Sequence, residues 1–321
     1  MEHRKLISFG KSSYVVSIPK AWVSQNKLNK GDLLYLEENG PNLVLSKKNT
    51  DKSNERREKL IYIDGKTDVA ISREVYSTYI QNYSSIIFRG QEVKNKVKEL
   101  QRIVQSLIAL EIMEQRPDSI VAKDFLNMDT VSAEELIRKM DVVTRTMMKE
   151  TCAIFSEDNY ESLNERDRDV NRLYFLFYRT VLYNLENPLK SLKNFNLSGL
   201  DLLRLKYIGF YIEAIADETR RTARYARLLK VSKKKQQEII SFLEKMNQFY
   251  SQTMKAAYTK DVELAFQLSD CKKEFDDVLE KLEKDIATVP HLNRVVNRLQ
   301  RMTSLVHNLG RVLYTMGTGV A

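Results

Sequence analysis

Glu213 and Asp217 stand four residues apart in a stretch with helical periodicity. Glu165 and Asp169 repeat the spacing, and Asp167 has Asn171 at the same distance. Residues four apart share one helix face, with Cβ atoms roughly 6 Å apart, so each pair points two oxygen-bearing groups the same way. At ~100° per residue, Asp217 falls ~20° from Phe210, and Asp167 is in phase with Leu185 on the stripe of Val170, Phe177 and Val181. A carboxylate beside an apolar stripe is costly unless it is hydrogen-bonded or metal-bound. Oxygen ligands with almost no His or Cys nearby select hard cations such as Mg²⁺ or Mn²⁺. Arg220, Arg221 and Arg224 follow Asp217 closely and offer the alternative, an ion-pair network. Both readings stand on the sequence.

Other chemistry is poorly supplied. The three histidines (His3, His291, His307) form no cluster, and Cys152 and Cys271 are far apart in no CxxC. That excludes a disulfide scaffold and a zinc finger, and leaves inert cysteines. No phosphate-loop, dinucleotide-binding or nucleophile-elbow sequence occurs, so nothing supports a nucleotide hydrolase or esterase.

The chain has 321 residues, 43% of them hydrophobic, enough for a sizeable core. Only 10 Gly and 5 Pro point to a mostly helical protein. No apolar run is long enough to cross a bilayer, no secretory leader opens the chain, and the expected location is cytoplasmic. The formal charge is +9, and residues 1–60 hold 12 Lys and Arg against 7 Asp and Glu. The first fifth therefore carries over half the excess, as would either a polyanion-binding module or lysines that only keep the protein soluble.

Residues 1–48 read as short strands at 4–9, 14–18, 33–36 and 43–46, punctuated by Gly10, Gly31 and the Asn39-Gly40-Pro41 turn. Residues 49–59 lack apolar side chains and read as a linker. Residues 60–127 alternate, with strands at 60–63, 85–88 and 120–125 and helices at 72–80 and 92–114, a small α/β segment of two or three strands. From Val131 onward helical stripes dominate, among them Leu200, Leu203, Tyr207, Phe210 and Ala214, taken as core. Six long helices are expected, broken near 158, 190–198, 231, 259 and 288–290. Two groups of three, 131–230 and 231–316, suggest a duplicated unit.

Gly10-Lys-Ser-Ser-Tyr-Val-Val-Ser-Ile-Pro19-Lys-Ala-Trp22 followed by Leu28-Asn-Lys-Gly31-Asp32 resembles the AbrB/SpoVT swapped-hairpin family of DNA-binding domains. The resemblance implies that two chains interleave residues 1–48 into one dimeric barrel. Trp22, Val16, Ile18, Leu33 and Leu43 would then be core. It also implies phosphate-backbone contact by Arg4, Lys5, Lys11 and Lys20, with Ser12 and Ser13 as hydrogen-bond donors. Exposed strand edges that discourage aggregation are the alternative use of the same residues.

The segments DRDVNRLYFLFYR and YIEAIADETRRTARYA resemble the PhoU family of phosphate-uptake regulators over roughly 131–316. That family has two tandem three-helix bundles carrying paired acids. Glu213 and Asp217 match its motif directly. Asp167 matches with Asn171 as a neutral second member, and Glu165 with Asp169 is an intact pair one step out of phase. In the second bundle Gln300 and Ser304 stand where acids would, and Lys272 and Asp276 hold the other position. The family resemblance also allows iron or zinc. The whole chain resembles archaeal-type PhoU regulators with their own DNA-binding domain. The implied fold is multidomain and mainly α: a small swapped-hairpin β-barrel, a short α/β segment, then two tandem three-helix bundles. The implied function is non-enzymatic, a phosphate-responsive transcriptional regulator. The implied partners are DNA, a second copy, the ATPase of a phosphate ABC transporter and sensor kinases. A DNA-free adaptor docking on that ATPase is the alternative.

Overall fold

The computed structural model describes residues 3–39, 42–47 and 57–316. The chain divides into two compact units, Met1–Arg56 and Arg57–Ala321.

In the first unit, β1 (Ile7–Phe9) pairs antiparallel with β2 (Ser13–Val15). Gly10 holds φ +71° in the three-residue loop between them, a conformation that costs other residues a clash at Cβ. Helix α1 (Lys20–Gln25) starts after Pro19, whose fixed φ suits a helix entrance, and Asn26 closes it by donating its side-chain amide to the Trp22 carbonyl at 2.8 Å. The Lys-Gly-Asp turn is built by Asp32, whose carboxylate accepts the Asn29 N–H at 2.7 Å while Gly31 takes φ +95°. It leads to the hairpin of β3 (Tyr35–Asn39) and β4 (Asn42–Ser46). The Gly40-Pro41 part of the expected turn, and residues 48–56 of the expected linker, lie outside the described residues. Glu58 and Lys59, expected in that linker, belong to the next strand.

One chain therefore forms two separate hairpins and no closed barrel among its described residues. None of the described side chains of this unit is buried. Val16, Leu33 and Leu43, expected as core, are exposed, while Trp22 and Ile18 are partly covered.

The second unit begins with a sheet in the order β5-β6-β8-β7. Strands β5 (Glu58–Tyr62) and β6 (Ser85–Arg89) are parallel, joined through α2 (Asp68–Ile80). After α3 (Val93–Gln105) the hairpin of β7 (Leu110–Arg116) and β8 (Ser119–Asp124) adds antiparallel to β6. The expected helix over 92–114 thus ends at Gln105, and the sheet has four strands. Ala109 turns to φ +59°, and Leu110 then pairs with Asp124 of β8. Sheet pairing outweighs the continuous helical pattern.

The helices are α4 (Ala133–Thr151), α5 (Tyr160–Glu186), α6 (Pro188–Phe195), α7 (Gly199–Ala226), α8 (Lys233–Thr259), α9 (Val262–Ser269), α10 (Lys272–Glu283) and α11 (Leu292–Leu313). Ser132, Ser198 and Ser232 cap α4, α7 and α8 through their hydroxyls, and Ser198 with Asp201 forms a capping box. Pro188 opens α6, where its missing N–H costs nothing. The long helices are α4, α5, α7, α8, α10 and α11, with α6 and α9 as short additions. One core runs through these helices, and α7 packs extensively on α11. Asp141 of α4 adds a polar tie, accepting both Arg145 nitrogens at 2.8 and 2.7 Å and the Tyr258 hydroxyl of α8 at 2.7 Å.

The buried face of α7 is Leu202, Leu205, Ile208, Ile212 and Ile215. Leu200, Leu203, Tyr207 and Phe210, expected as core, are exposed, Phe210 to 44%. At ~100° per residue the expected stripe lies ~160° from the buried one, nearly on the opposite face of the helix.

Gly209 permits the close approach of α5 and α7, for a Cβ there would collide with the buried Phe177 ring. Gly209→Ala should therefore destabilise the protein by up to about 2 kcal/mol. Overpacking costs about 1–3 kcal/mol, and about 1 kcal/mol returns through better helix propensity. A lower urea midpoint at unchanged slope checks it.

Candidate functional site

Two surfaces carry the residues singled out from sequence. The first is the β1–β2 hairpin. Lys11 and Ser12 sit in its loop, Ser13 opens β2, and Lys20 opens α1. Arg4 and Lys5 precede β1, at the opposite end of the hairpin from Lys11. Arg4, Lys5, Lys11, Ser12 and Lys20 are exposed. The Ser13 hydroxyl donates to the Phe9 carbonyl at 2.7 Å, so its one proton is engaged and it tightens the loop instead.

The second lies between α5 and α7, which bring Asp167, Glu213 and Asp217 together. Arg220 donates from Nη2 to Asp217 at 2.7 Å, and its Nε lies 2.9 Å from Asp167 Oδ2, paired by charge but poorly aligned for a hydrogen bond. Arg221 reaches the other Asp217 oxygen at 2.7 Å. The Asn171 amide donates to Asp167 Oδ2 at 3.2 Å, which explains the amide at that motif position. Burial raises the Asp167 carboxyl above its usual range, against the pull of Arg220. Glu213 differs: among the described residues no hydrogen bond or ion pair reaches it. Burial, then the charges of Asp217 and Asp167, push its carboxyl up to about 7, with Arg221 pulling the other way.

Glu165 and Asp169 do not join this cluster. They lie on the far side of α5, lining a groove of about 970 Å³ against α2 and α3, where Asp169 stands 3.9 Å from Arg172.

A metal centre at Glu213, Asp217 and Asp167 needs their oxygens free to converge on one ion. Arg220 and Arg221 hold Asp217 and Asp167, and among the described residues no three His, Cys, Asp or Glu are arranged to bind a metal. As arranged, these side chains do not fit a metal; they form the ion-pair network, with one protonatable carboxyl beside it. Cys152 and Cys271 are free, and burial pushes the Cys152 thiol up to about 11, which suppresses the reactive thiolate.

Sequence reasoning missed Asp141 and two further buried charges. Arg179 of α5, 1% exposed, pairs with Asp124 of β8 and donates to Asn82 Oδ1 from Nε at 3.0 Å and Nη2 at 2.6 Å. Its guanidinium also lies 4.6 Å over the Tyr79 ring. Glu218 of α7, 1% exposed, faces Arg221, Arg298 and Arg301. Glu218 was detectable: it lies between Ile215 and Thr222 at helical spacing, on the buried face.

The carboxyl ends of parallel strands are the usual ligand corner of an α/β sheet. Here Asp64 accepts the N–H groups of Gln91 and Glu92 at 3.0 and 2.9 Å, and Glu92 accepts that of Gly65 at 3.1 Å. The corner is closed by its own acids.

Fold and site together define a class: an N-terminal β-hairpin unit that buries none of its described side chains, followed by an α/β segment and a mostly helical region. Residues 7–53 match the family model described as antidote-toxin recognition MazE, bacterial antitoxin. Among solved structures the chain is similar to PhoU from Pseudomonas aeruginosa, at 13% sequence identity and a TM-score of 0.50. That likeness covers 59% of this chain and 96% of that one, and at such identity it is one of fold. No curated protein matches the chain. The chain thus joins a MazE/AbrB-like N-terminal segment to a region with the PhoU fold, the combination expected from sequence. No helix among the described residues is long and apolar enough to cross a membrane.

Proposed function

We propose that the chain is a phosphate-responsive regulator that dimerises and binds DNA through its N-terminal unit and controls phosphate uptake by acting on transcription. One observation carries this reading: a MazE-similar unit that buries none of its described side chains is joined to a region with the PhoU fold. So small a unit has too little surface to fold securely alone, and a second copy supplies the missing core by covering Val16, Leu33 and Leu43. Dimerisation also doubles the basic side chains, offering two copies of Arg4, Lys5, Lys11 and Lys20 for phosphate contact. The helical unit is the sensing part, and the protein is a regulator rather than an enzyme, working in the cytoplasm.

The test is fluorescence anisotropy with labelled duplex DNA from upstream of the organism's phosphate-transport genes, over a salt series. Full-length protein should bind with steep salt dependence, and a fragment from Arg57 should not. Lys5→Ala with Lys11→Ala should weaken binding and reduce the salt slope by about 0.9 for each DNA phosphate that is no longer neutralised. Equal, weak binding by all three proteins would overturn the operator reading. It would leave the adaptor reading, in which the PhoU-fold unit docks on a transporter ATPase.

A further inference from the structure

Helix α11 carries Arg294, Asn297, Arg298, Arg301 and Ser304 on its outward face, at helical spacing. Asn297, Arg298, Gln300, Arg301, Ser304 and Leu305 line an open groove of about 520 Å³ along it. Gln300 and Ser304 are the positions where the PhoU resemblance would place acids, so the chain here has neutral side chains and a basic wall.

The charges behind that wall do not balance. Glu218 is fully buried, and three guanidiniums share it: Arg301 Nε at 3.2 Å, Arg298 Nη1 at 3.3 Å and Arg221 Nη1 at 3.4 Å. One carboxylate cannot neutralise three cations, and among the described residues Arg221 alone of the three has a second acid, Asp217. Arg298 also has a buried Nε with no hydrogen-bond partner. Beside them Arg224 and Arg294 flank the Tyr225 ring, at 5.8 and 5.1 Å, with no carboxylate in ion-pairing range among the described residues. The hydrogen bond from Arg294 holds the Tyr225 phenol below its usual range, a sign of the same positive potential. The Gln300 amide is already engaged by Glu283 at 2.5 Å, so it is not a free donor and Glu283 is the acid at the groove's edge.

We propose that this groove binds a phosphate-type oxyanion, held by Arg298 and Arg301 with the Ser304 hydroxyl, and that Glu218 is the positioning residue behind them. Guanidinium forks match the paired oxygens of a phosphate, and a buried carboxylate that fixes their inner nitrogens leaves the outer ones directed outward. Arg298, Arg301 and Glu218 together keep one positive charge, Arg221 being taken up by Asp217, and that excess favours an anionic group such as phosphate. The groove has no aromatic platform, so the recognised element is the phosphate itself and not a base. Arg221 links this site to the Glu213–Asp217 cluster by pairing with both Glu218 and Asp217, but the groove is lined by other residues, and the binding would hold even in a protein that never touched DNA.

Isothermal titration calorimetry on the full-length chain tests it, with sodium phosphate at ionic strength fixed by chloride. Saturable binding is expected, weakened about tenfold by Arg301→Gln, the loss of one charge-assisted hydrogen bond. Ser304→Ala should weaken it less, and Arg168→Gln, an exposed arginine on α5, should leave it unchanged. Arg301 and Ser304 are exposed, so both variants should keep the fold, and circular dichroism verifies that. ATP as a second probe separates the sources: tighter binding than phosphate points to a phosphoryl group on a larger ligand, and equal or weaker binding points to free phosphate. Absence of saturable heat with either probe overturns the proposal. So does equal affinity in wild type and Arg301→Gln, or a loss in Arg168→Gln as large as in Arg301→Gln.

Discussion

Replacing Arg179 with alanine should lower the stability of the protein by about 3–5 kcal/mol, the usual result of breaking a buried ion pair from one side. The residue is 1% exposed and Asp124 nearly as covered, so the carboxylate left behind has no water to replace the guanidinium. Asn82 Oδ1 loses two donors, and the Tyr79 ring loses the cation over its face. The effect reaches beyond one pair, because Arg179 belongs to α5 while Asp124, Asn82 and Tyr79 belong to the α/β segment. The stacked pair Tyr76 and Phe175, centroids 4.7 Å apart, crosses the same boundary but is partly exposed. Thermal unfolding should shift down by roughly 6–20 °C. Arg179→Met with Asp124→Leu should recover much of the loss, since an apolar pair of similar size leaves no buried charge. A shift below about 1 kcal/mol for Arg179→Ala would show that the clamp contributes little.

Glu213→Gln should flatten the pH dependence of stability between about pH 4.5 and 8. The folded-state value of Glu213, about 7, lies above its unfolded reference of 4.5. The native state therefore keeps the proton longer than the unfolded chain does. The stability tied to that proton is complete below the unfolded value and is lost as pH rises through about 7. Asp167, raised by burial, acts in the same direction. Glutamine has nearly the same shape and never ionises. The variant should match wild type near pH 4.5 and exceed it at pH 8 by as much as roughly 3 kcal/mol. Urea midpoints across that range decide it, and parallel curves for the two proteins would refute the assignment. The groups facing Glu213 are Asp217, Asp167, Arg221 and the Tyr174 phenol, whose own value burial and Glu213 push up to about 12.

Local signals in the sequence were readable where the physics is local. Pro188 and the Lys30-Gly31-Asp32 turn mark boundaries through groups a few residues apart. The end of α3 was not readable. The apolar pattern of 92–114 fits one helix, and only pairing with β8, whose sequence follows later, makes 110–116 a strand. The orientation of α7 was misread because apolar residues lie on two of its faces, and only packing against α5 and α11 decides between them. The acid cluster was found because Glu213 and Asp217 share a helix face, but whether arginine or a metal satisfies them depends on rotamers that spacing does not specify. The clamp of Arg179 on Asp124 spans 55 residues, a separation at which spacing carries no signal.

The lack of burial among the described side chains of the N-terminal unit bears on dose. A segment that obtains its core only from a second copy folds by a bimolecular step, so in dilute protein the amount of folded pair rises with the square of chain concentration. For a dimer formed in this way, DNA occupancy would respond more steeply than linearly to the amount of protein made. A twofold change in synthesis or turnover would then change the folded pair by up to about fourfold, with no ligand involved.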